Sequence, residues 1–139
     1  MVEVELEEIA VSGDDNQFLA LLKSKDGEIL PIAIDAMQAI SIAAGRSNEK
    51  LERPLTHDLF VSVLELLGVK VARVEVTDLV DGTYYAMLVL ERGGVRFDVD
   101  ARPSDALALA VRVKAPVFVA KHVLEQSALR DEFGGGAEA

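Results

Sequence analysis

Apolar and polar residues alternate along the first part of the chain, in the pattern of half-buried β-strands. The stretch VEVELEEIAV, residues 2–11, alternates apolar and acidic side chains, and a side-chain period of two predicts a strand. Two more apolar stretches, QFLALLKS and EILPIAI, flank Lys25-Asp26-Gly27, and this arrangement predicts a hairpin turn. Pro31 lacks a backbone N–H, so we expect it at a sheet edge or at a bulge.

Helical signals then replace the strand pattern. Asp35 and Gln38 are spaced as a capping box in front of AMQAISIAA, and Gly45 can close that helix in the left-handed conformation. Thr56 is expected to cap the next helix, HDLFVSVLELL, and Gly68 to end it. This second helix is amphipathic, because large apolar residues fall on one face at positions 59, 60, 63, 66 and 67.

The period of two then returns and predicts three more strands. VKVARVEVTDLV and TYYAMLVLE are separated by Asp81-Gly82, which is the strongest hairpin signal in the chain. Residues 84–90 are apolar on both faces, as is typical of a central strand. In the third strand, VRFDVD, we expect the apolar residues to face the core and the charged residues to line the other face: Val95, Phe97 and Val99 against Arg96, Asp98 and Asp100.

The remaining elements complete a mixed pattern of strands and helices. PSDALALAVRV is predicted as an alanine-rich helix, PVFVA as a short strand and KHVLEQSAL as a short terminal helix. We therefore predict the α+β class, with a single compact domain over residues 1–130, a mixed β-sheet and helices packed mainly on one side. Residues 131–139, which contain GGG, are predicted to form a flexible C-terminal tail.

Composition and charge narrow the function classes. The 139 residues include no cysteine, which excludes a disulfide scaffold and a thiolate metal site. The chain has neither a signal-type N-terminus nor an apolar run near the ~20 residues of a membrane span, so we expect a cytoplasmic protein without a membrane partner. The net charge of −10 argues against nucleic acid at first sight. However, acidic residues crowd the first fifteen positions, and the body of the chain is nearly neutral.

Two polar helix starts share the same entry pattern. RPLTHDL begins at Arg53 and RPSDAL begins at Arg102, so an Arg-Pro step leads into each helix. A helix N-terminus binds anions through its free amides and its dipole, and an arginine beside it adds a bidentate phosphate donor. If the fold brings the two starts together, they form a pocket with the following charged residues: Arg53, Arg102, His57, Asp58, Asp98, Asp100 and Asp105.

Several chemistries are compatible with that pocket. It can bind a phosphodiester, hold a divalent ion through carboxylates, or transfer protons through His57. A simpler interpretation is that the polar residues only cap the helices, while Arg53 and Arg102 pair with Asp98 or Asp100. The strand carboxylates can equally be the solvated face of an amphipathic strand. Spacing alone does not separate these alternatives.

Three blocks of the sequence closely resemble the bifunctional nuclease family: RPLTHDLFVSVLELLG, VTDLVDGTYYAMLVLE and VDARPSDALALAVRVKAPVFV. With the LPIAI stretch they cover roughly residues 3–125. The resemblance implies a compact α+β domain that forms oligomers and has nuclease activity on DNA and RNA. It carries over to these positions: Arg53, Pro54, Thr56, His57, Asp58, Asp81, Gly82, Tyr85, Arg102, Pro103, Ser104 and Asp105. The chain departs from the family pattern at Ala33, Asp35 and Gln38, where a tryptophan, a glycine and a glutamate are expected.

The resemblance leads to a hypothesis about function. We expect a nuclease that cleaves DNA and RNA, with His57, Asp58, Arg102 and Asp105 as catalytic residues. The expected substrate contacts are Arg53, Thr56, Tyr85 and Ser104, and the expected ligands of a divalent ion, Mg²⁺ or Mn²⁺, are Asp98 and Asp100. We also expect a homodimer or a higher homo-oligomer. Two alternatives stay open: a non-catalytic regulatory module that binds an anion or a nucleotide, and an interaction protein whose helix starts stabilise an oligomer interface.

Overall fold

A computed structural model describes residues 1–12, 17–47, 51–128 and 137–138. These residues form one mixed sheet and four helices, which confirms the α+β class. In chain order the elements are β1 (Val2–Ser12), β2 (Gln17–Ser24), β3 (Ile29–Ile34), α1 (Ala36–Ser47), α2 (Thr56–Leu66), β4 (Lys70–Val80), β5 (Thr83–Arg92), β6 (Val95–Ala101), α3 (Pro103–Val113), β7 (Val117–Val119), α4 (Lys121–Ser127) and β8 (Ala137–Glu138).

The sheet closes on itself and leaves one strand outside. Its strand order is β4-β7-β1-β2-β3-β8-β5-β6, and β4 also pairs with β5. The additional pairing joins the strands from β4 to β5 into a ring, while β6 pairs with β5 alone among the described strands. Neighbouring strands are antiparallel except where β7 meets β4 and where β8 meets β3 and β5.

The predicted turns form as expected. Asp81 and Gly82 both have positive φ, 51° and 78°, as a two-residue type I′ hairpin requires. Gly27, in the turn between β2 and β3, has φ 87°, and its N–H donates to the Ser24 carbonyl. At Pro31, β3 has only β2 beside it in the described part of the chain, because β8 pairs one residue further on. This is the edge setting that proline tolerates.

The first helix starts as predicted but ends later. The N–H of Asp35 donates to Gln38 Oε1 and the N–H of Gln38 donates to Asp35 Oδ1, both at 2.8 Å, so the capping box is confirmed. The prediction that Gly45 ends the helix was wrong. Gly45 lies inside α1, which continues to Ser47, and a Cβ at this glycine would lie 2.6 Å from Arg112 Nη1. Gly45 is therefore a point of close approach between α1 and α3.

The second helix is capped differently from the prediction. Leu55 is the N-cap residue and Thr56 is the first helical residue, so the proposed Thr56 cap was wrong. The N–H of Leu55 donates instead to Asp58 Oδ2 at 2.8 Å, which satisfies one of the free amides of the first turn. The helix stops where expected, because Gly68 adopts φ 69°, a conformation that favours glycine.

All four helices pack on the same side of the sheet, as predicted. One continuous core joins β-strand residues such as Val74, Val76 and Leu88 to residues of α1, α3 and α4, and α2 packs against its margin through Val61 and Leu64. The central helix is α3, whose alanines let it approach the sheet and the other helices closely. None of the helices in the described ranges is long and apolar enough to cross a membrane.

Two apolar surfaces remain uncovered. No residue of α2 is fully buried, and its apolar face is exposed at Leu59, Phe60, Val63, Leu66 and Leu67. The expectation that β6 turns its apolar residues into the core was wrong. They are 42–54% exposed at Val95, Phe97 and Val99, because β6 is attached outside the ring of strands.

The C-terminal region is described only in part. The predicted flexible tail, residues 131–139, lies outside the described residues except for β8, whose two residues pair with Ile32 and Ala33 of β3. By contrast, the prediction that residues 84–90 form a central strand is confirmed, because β5 pairs with β4 on one side and with β6 on the other.

Candidate active site

The two polar helix starts meet, as their shared Arg-Pro step predicts. His57 stands in the first turn of α2 and Asp105 in the first turn of α3. The distance from His57 Nε2 to Asp105 Oδ1 is 2.9 Å, although the two residues are 48 positions apart. The His57 side chain is 19% exposed and the Asp105 side chain 41%, so Asp105 is the member of the pair that solvent reaches more easily.

A serine from α1 occupies the other ring nitrogen of His57. The distance from Ser41 Oγ to His57 Nδ1 is 2.6 Å, and Ser41 is buried. An ionised Asp105 can only accept a hydrogen bond, so Nε2 carries the hydrogen and donates to it. In the neutral ring Nδ1 then accepts the hydroxyl hydrogen of Ser41. Ser41 of α1, His57 of α2 and Asp105 of α3 are therefore joined in a continuous series of hydrogen bonds.

Arg112 of α3 connects the same three helices through hydrogen bonds to residues of each. Its side chain is only 6% exposed, and its Nε donates to Asp58 Oδ1 at 2.7 Å. Nη1 donates to the carbonyls of Ser41 and Ala108 at 3.0 and 2.8 Å, and Nη2 lies 3.4 Å from Ser41 Oγ. Because Ser41 Oγ accepts from Arg112, its own hydrogen is free to point at His57.

Asp58 serves this scaffold and stays ionised. The hydrogen bond from Arg112 holds the pKa of the Asp58 carboxyl below its usual value, and the Leu55 N–H acts in the same direction, while burial opposes both. A carboxylate with a lowered pKa is a poor proton donor near neutral pH. The structure therefore places Asp58 beside the site as a partner of Arg112.

Arg102 lies at the exposed end of the chain of hydrogen bonds. It precedes α3, its side chain is 65% exposed, and its Nε lies 3.3 Å from Asp105 Oδ2. Arg102 therefore pairs with Asp105 and not with a strand carboxylate. Arg53 is exposed and has neither a hydrogen bond nor an ion pair with the described residues. Both guanidinium groups are accessible to an anion.

Two of the predicted substrate contacts differ sharply in accessibility. Thr56 is exposed at the first position of α2. Ser104 is 2% exposed, and its hydroxyl is a buried polar atom without a hydrogen-bond partner among the described residues. A ligand cannot reach Ser104 Oγ in this arrangement.

Tyr85, Asp98 and Asp100 lie on a different face of the sheet from the helix pocket. Tyr84 is buried in the core, so the next residue, Tyr85, points to the opposite face. Met87 and Val89 lie two and four residues after Tyr85 and point to the same face as Tyr85. Asp100 is directly opposite Met87 and Asp98 is directly opposite Val89, so both aspartates share that face. The structure therefore divides the predicted site into two groups.

The predicted divalent-ion ligands do not form a suitable donor set. Asp98 accepts from Arg96 Nε at 2.7 Å, and Arg96 Nη2 also lies 3.7 Å from Glu75. Within the described ranges there is no group of three or more His, Asp or Glu residues placed to hold a metal ion. Mg²⁺ and Mn²⁺ prefer several oxygen ligands, so Asp98 and Asp100 do not fit such an ion here.

Sequence reasoning missed Ser41 and Arg112. Each interrupts the apolar surface of a helix that is otherwise suited to burial, in AMQAISIAA and in ALALAVRV. A polar residue at such a position requires a buried partner, and this signal could have identified both residues. The identity of the partner depends on how the helices cross.

Comparison with known proteins agrees with the three sequence blocks. The sequence model of the bifunctional nuclease domain matches residues 20–132. The chain belongs to this family. The match includes both helix starts, so the cluster of His57, Asp105 and Arg102 lies inside the family domain.

Relatives occur in bacteria and plants. An uncharacterized protein of Mycobacterium tuberculosis is 39% identical over 130 residues, which are 93% of this chain and 77% of that protein. Bifunctional nuclease 2 of Arabidopsis thaliana is 33% identical over 115 residues, and bifunctional nuclease 1 of the same plant is 33% identical over 117. Each plant alignment covers 79% of this chain and 35% of the plant protein, so the chain corresponds to about a third of those longer relatives.

Proposed function

We propose that this domain is a nuclease that hydrolyses phosphodiester bonds of DNA and RNA at the meeting point of α2 and α3. The observation that carries the proposal is His57, held between Ser41 and Asp105 with the exposed Arg102 beside them. Acid–base cleavage of a phosphodiester needs a group that transfers protons, here the histidine–carboxylate pair, and a cation that stabilises the charge on the phosphate, here Arg102. The names of the plant relatives support the same substrate class.

In the proposed reaction Asp105 and His57 act as one acid–base unit. Both ring nitrogens of His57 are engaged, so the accessible Asp105 carboxylate faces the attacking water. As the water oxygen forms its bond to phosphorus, its proton passes to the Asp105–His57 pair. The bond from phosphorus to the leaving nucleoside oxygen breaks, and that oxygen takes the proton. Ser41 fixes the ring orientation throughout.

The arginines have a different part in this proposal. Arg102 exchanges its long contact with Asp105, 3.3 Å, for the non-bridging oxygens of the phosphate, where its charge favours the transition state. Arg53, which has no partner among the described residues, binds a neighbouring phosphate of the same strand in this proposal. No step passes through a divalent ion, because the carboxylates that were expected to hold one lie on the other face of the sheet.

Cleavage assays with a matched histidine control test the proposal. The chain has two histidines, and the second, His122, lies 3.3 Å from Asp78 on an exposed surface. His57→Ala is expected to lower cleavage of single-stranded DNA and RNA by about 10²-fold or more, the usual scale for loss of a general acid or base. His122→Ala should cleave like the wild type. Magnesium, manganese, calcium and chelator arms measure metal dependence.

Arg102→Ala should show a second, distinct defect. Loss of one phosphate contact weakens nucleic-acid binding and reduces the slope of log affinity against log salt by roughly 0.7–0.9. Equal cleavage by the wild type, His57→Ala and Arg102→Ala would contradict the proposal and would identify a contaminating nuclease as the source.

A second candidate function is a non-catalytic module that binds an anion or a nucleotide. One observation favours it: neither ring nitrogen of His57 is free to meet a substrate. Saturable binding that depends on Arg102, without cleavage in any preparation, would establish this alternative.

We also propose that the domain acts as a homo-oligomer. The apolar faces of α2 and β6 are exposed on the isolated chain, and large exposed apolar patches mark sites of association.

A further inference from the structure

The free edge of β6 is open to pairing with a strand of complementary charge. In the described part of the chain β6 pairs only with β5, in an unbroken register from Val95 to Ala101. Natural edge strands are often protected by charged side chains, especially lysine, by proline or by a bulge. The sequence VRFDVDA contains neither lysine nor proline, and the β5–β6 ladder has no bulge. Its charged residues differ in sign, Arg96 against Asp98 and Asp100, so they repel some partner strands and attract others. Its apolar side chains are exposed as well.

The hairpin geometry shows which backbone groups point outward. Arg92 and Val95 flank the two-residue Gly93-Gly94 turn, in which both glycines have positive φ. Residues that flank such a turn form a hydrogen-bonded pair. The N–H and C=O groups of Val95 therefore face β5, and so do those of every second residue after it. The groups that face away from β5 belong to Arg96, Asp98 and Asp100.

We propose that β6 pairs in antiparallel fashion with β6 of a second copy of this chain, with the two-fold axis at Phe97. In this register Arg96 lies opposite Asp98 of the other copy as a hydrogen-bonded pair, and Asp98 lies opposite the other Arg96. On the opposite face Phe97 meets its own copy in a non-hydrogen-bonded pair, in which side chains approach most closely. Val95 meets Val99.

Charge complementarity selects this register over its neighbours. A shift of the axis to Asp98 would place Asp98 directly opposite its own copy, and like charges in that position are destabilising. A parallel arrangement would bring each charged residue close to its own counterpart and would not close as a two-fold dimer. Between Val95 and Val99, the axis at Phe97 pairs each charged side chain with an opposite charge and each apolar side chain with an apolar one. Asp100 lies beyond these pairs, opposite Gly94 of the other copy.

This inference rests on the proposal that the chain self-associates, but not on nuclease chemistry. It uses residues of β6, and none of them belongs to the cluster of His57, Asp105 and Arg102. The dimer would extend the sheet across two copies.

Engineered cysteines test the register, because the chain contains no natural cysteine. Across the axis the two Phe97 Cα atoms would lie about 4.5 Å apart, within the range of a disulfide. Phe97→Cys should therefore oxidise rapidly to a species of twice the 15.0 kDa chain mass on a non-reducing gel. Val95→Cys is the matched control on the same face. Its two copies would be about 14 Å apart along the strands, four residues from each other, and should remain largely uncrosslinked.

Charge variants give an independent readout. Arg96→Asp places aspartate opposite aspartate, and Asp98→Arg places arginine opposite arginine, so each variant alone should lose the dimer in sedimentation. An equimolar mixture should regain it, because each strand then meets opposite charges. Melting curves check that both variants are folded, since within its own chain Arg96 also contacts Asp98 at 2.7 Å and Glu75 at 3.7 Å.

The outcomes separate the two proposals. A wild-type chain that stays monomeric at 100 micromolar or so would overturn self-association and the β6 pairing together. An oligomeric wild type in which Phe97→Cys crosslinks no faster than Val95→Cys would overturn the β6 pairing alone, and it would point to the exposed face of α2. A mixture of the charge variants that stays monomeric would also contradict the proposed register.

Discussion

Gly45 is the position where a single added methyl group should disturb the scaffold of the site. A Cβ there would lie 2.6 Å from Arg112 Nη1, 2.9 Å from Arg112 Cγ and 2.9 Å from Val111 Cγ2. All three distances are shorter than real Cβ contacts. Arg112 cannot withdraw freely, because its buried guanidinium is bonded to Asp58 and to Ser41. Gly45→Ala should therefore separate α1 from α3 or displace Arg112.

Two opposing effects determine the size of the change. Alanine is favoured over glycine inside a helix by about 1 kcal/mol, which would stabilise the variant. Overpacking costs about 1–3 kcal/mol, and a displaced Arg112 also loses hydrogen bonds of about 1 kcal/mol each. The contact distances make the packing term dominant, so we expect Gly45→Ala to lower the free energy of unfolding by about 1–3 kcal/mol in total. Ala43→Gly, at an exposed position of the same helix, measures the propensity term separately.

A double-mutant cycle with Arg112→Ala identifies the cause. Without the Arg112 side chain two of the three closest contacts are lost and the contact with Val111 is kept, so Gly45→Ala should be less costly by at least about 1 kcal/mol in that background. Urea unfolding followed by circular dichroism gives the four free energies. Equal effects of Gly45→Ala in both backgrounds, or a more stable single variant, would refute the reasoning.

Two further predictions concern side chains that form hydrogen bonds within the chain, Asp58 and Tyr84. The pKa of Asp58 is lower in the folded chain than its usual value of 3.8. The ionised carboxylate therefore contributes fully to the free energy of unfolding at a pH well above 3.8, and this contribution is lost as the pH falls through the folded pKa. Asp58→Asn should therefore be less stable than the wild type at pH 7 but lose less stability between about pH 5 and pH 2, as urea titrations would show. Tyr84 Oη donates to the Pro31 carbonyl at 3.3 Å and lies 3.2 Å from Ser127, and burial raises the pKa of Tyr84. Tyr84→Phe should cost about 0.5–1.5 kcal/mol, and an unchanged melting temperature would contradict this.

Local conformational preferences made a hairpin turn and a helix end predictable from sequence. Asp81-Gly82 and Gly68 require positive φ values that few residues adopt, so their positions fix a hairpin and a helix end. Gly45 shows the limit of this reasoning. Its role is set by Arg112 of a helix 67 residues away, and a glycine needed for close approach looks the same in sequence as a glycine that ends a helix.

Apolar periodicity identified faces but not what covers them. The positions on α2 do share one face, yet Leu66 is 87% exposed, because the helix packs on the core through Val61 and Leu64 instead. Phe97 of β6 was assigned to the core for the same reason. An apolar period of two or 3.6 residues indicates that one face of a strand or helix is hydrophobic. It does not indicate whether that face is covered by the same chain or by a second chain.

The sequence predicted the contact between the two helix starts but not the side chains that support it. The repeated Arg-Pro step correctly placed His57 near Asp105, since each residue stands in the first turn of the helix that follows the step. The partners Ser41 and Arg112 depend on how three helices cross, which no local pattern encodes. The separation of Asp98 from the pocket, however, follows from strand alternation and the hairpin register, both of which are readable in the sequence.

The central claim is that Asp105 and His57 cleave phosphodiesters as one acid–base unit. The most direct measurement is the cleavage rate of one single-stranded substrate by the wild type, His57→Ala, Asp105→Ala and the double variant, purified identically. Groups that act as a unit show strongly non-additive losses. We predict that each single variant loses about 10²-fold or more and that the double variant loses little beyond either one. Independent, multiplying losses, or rates equal to the wild type, would contradict the account.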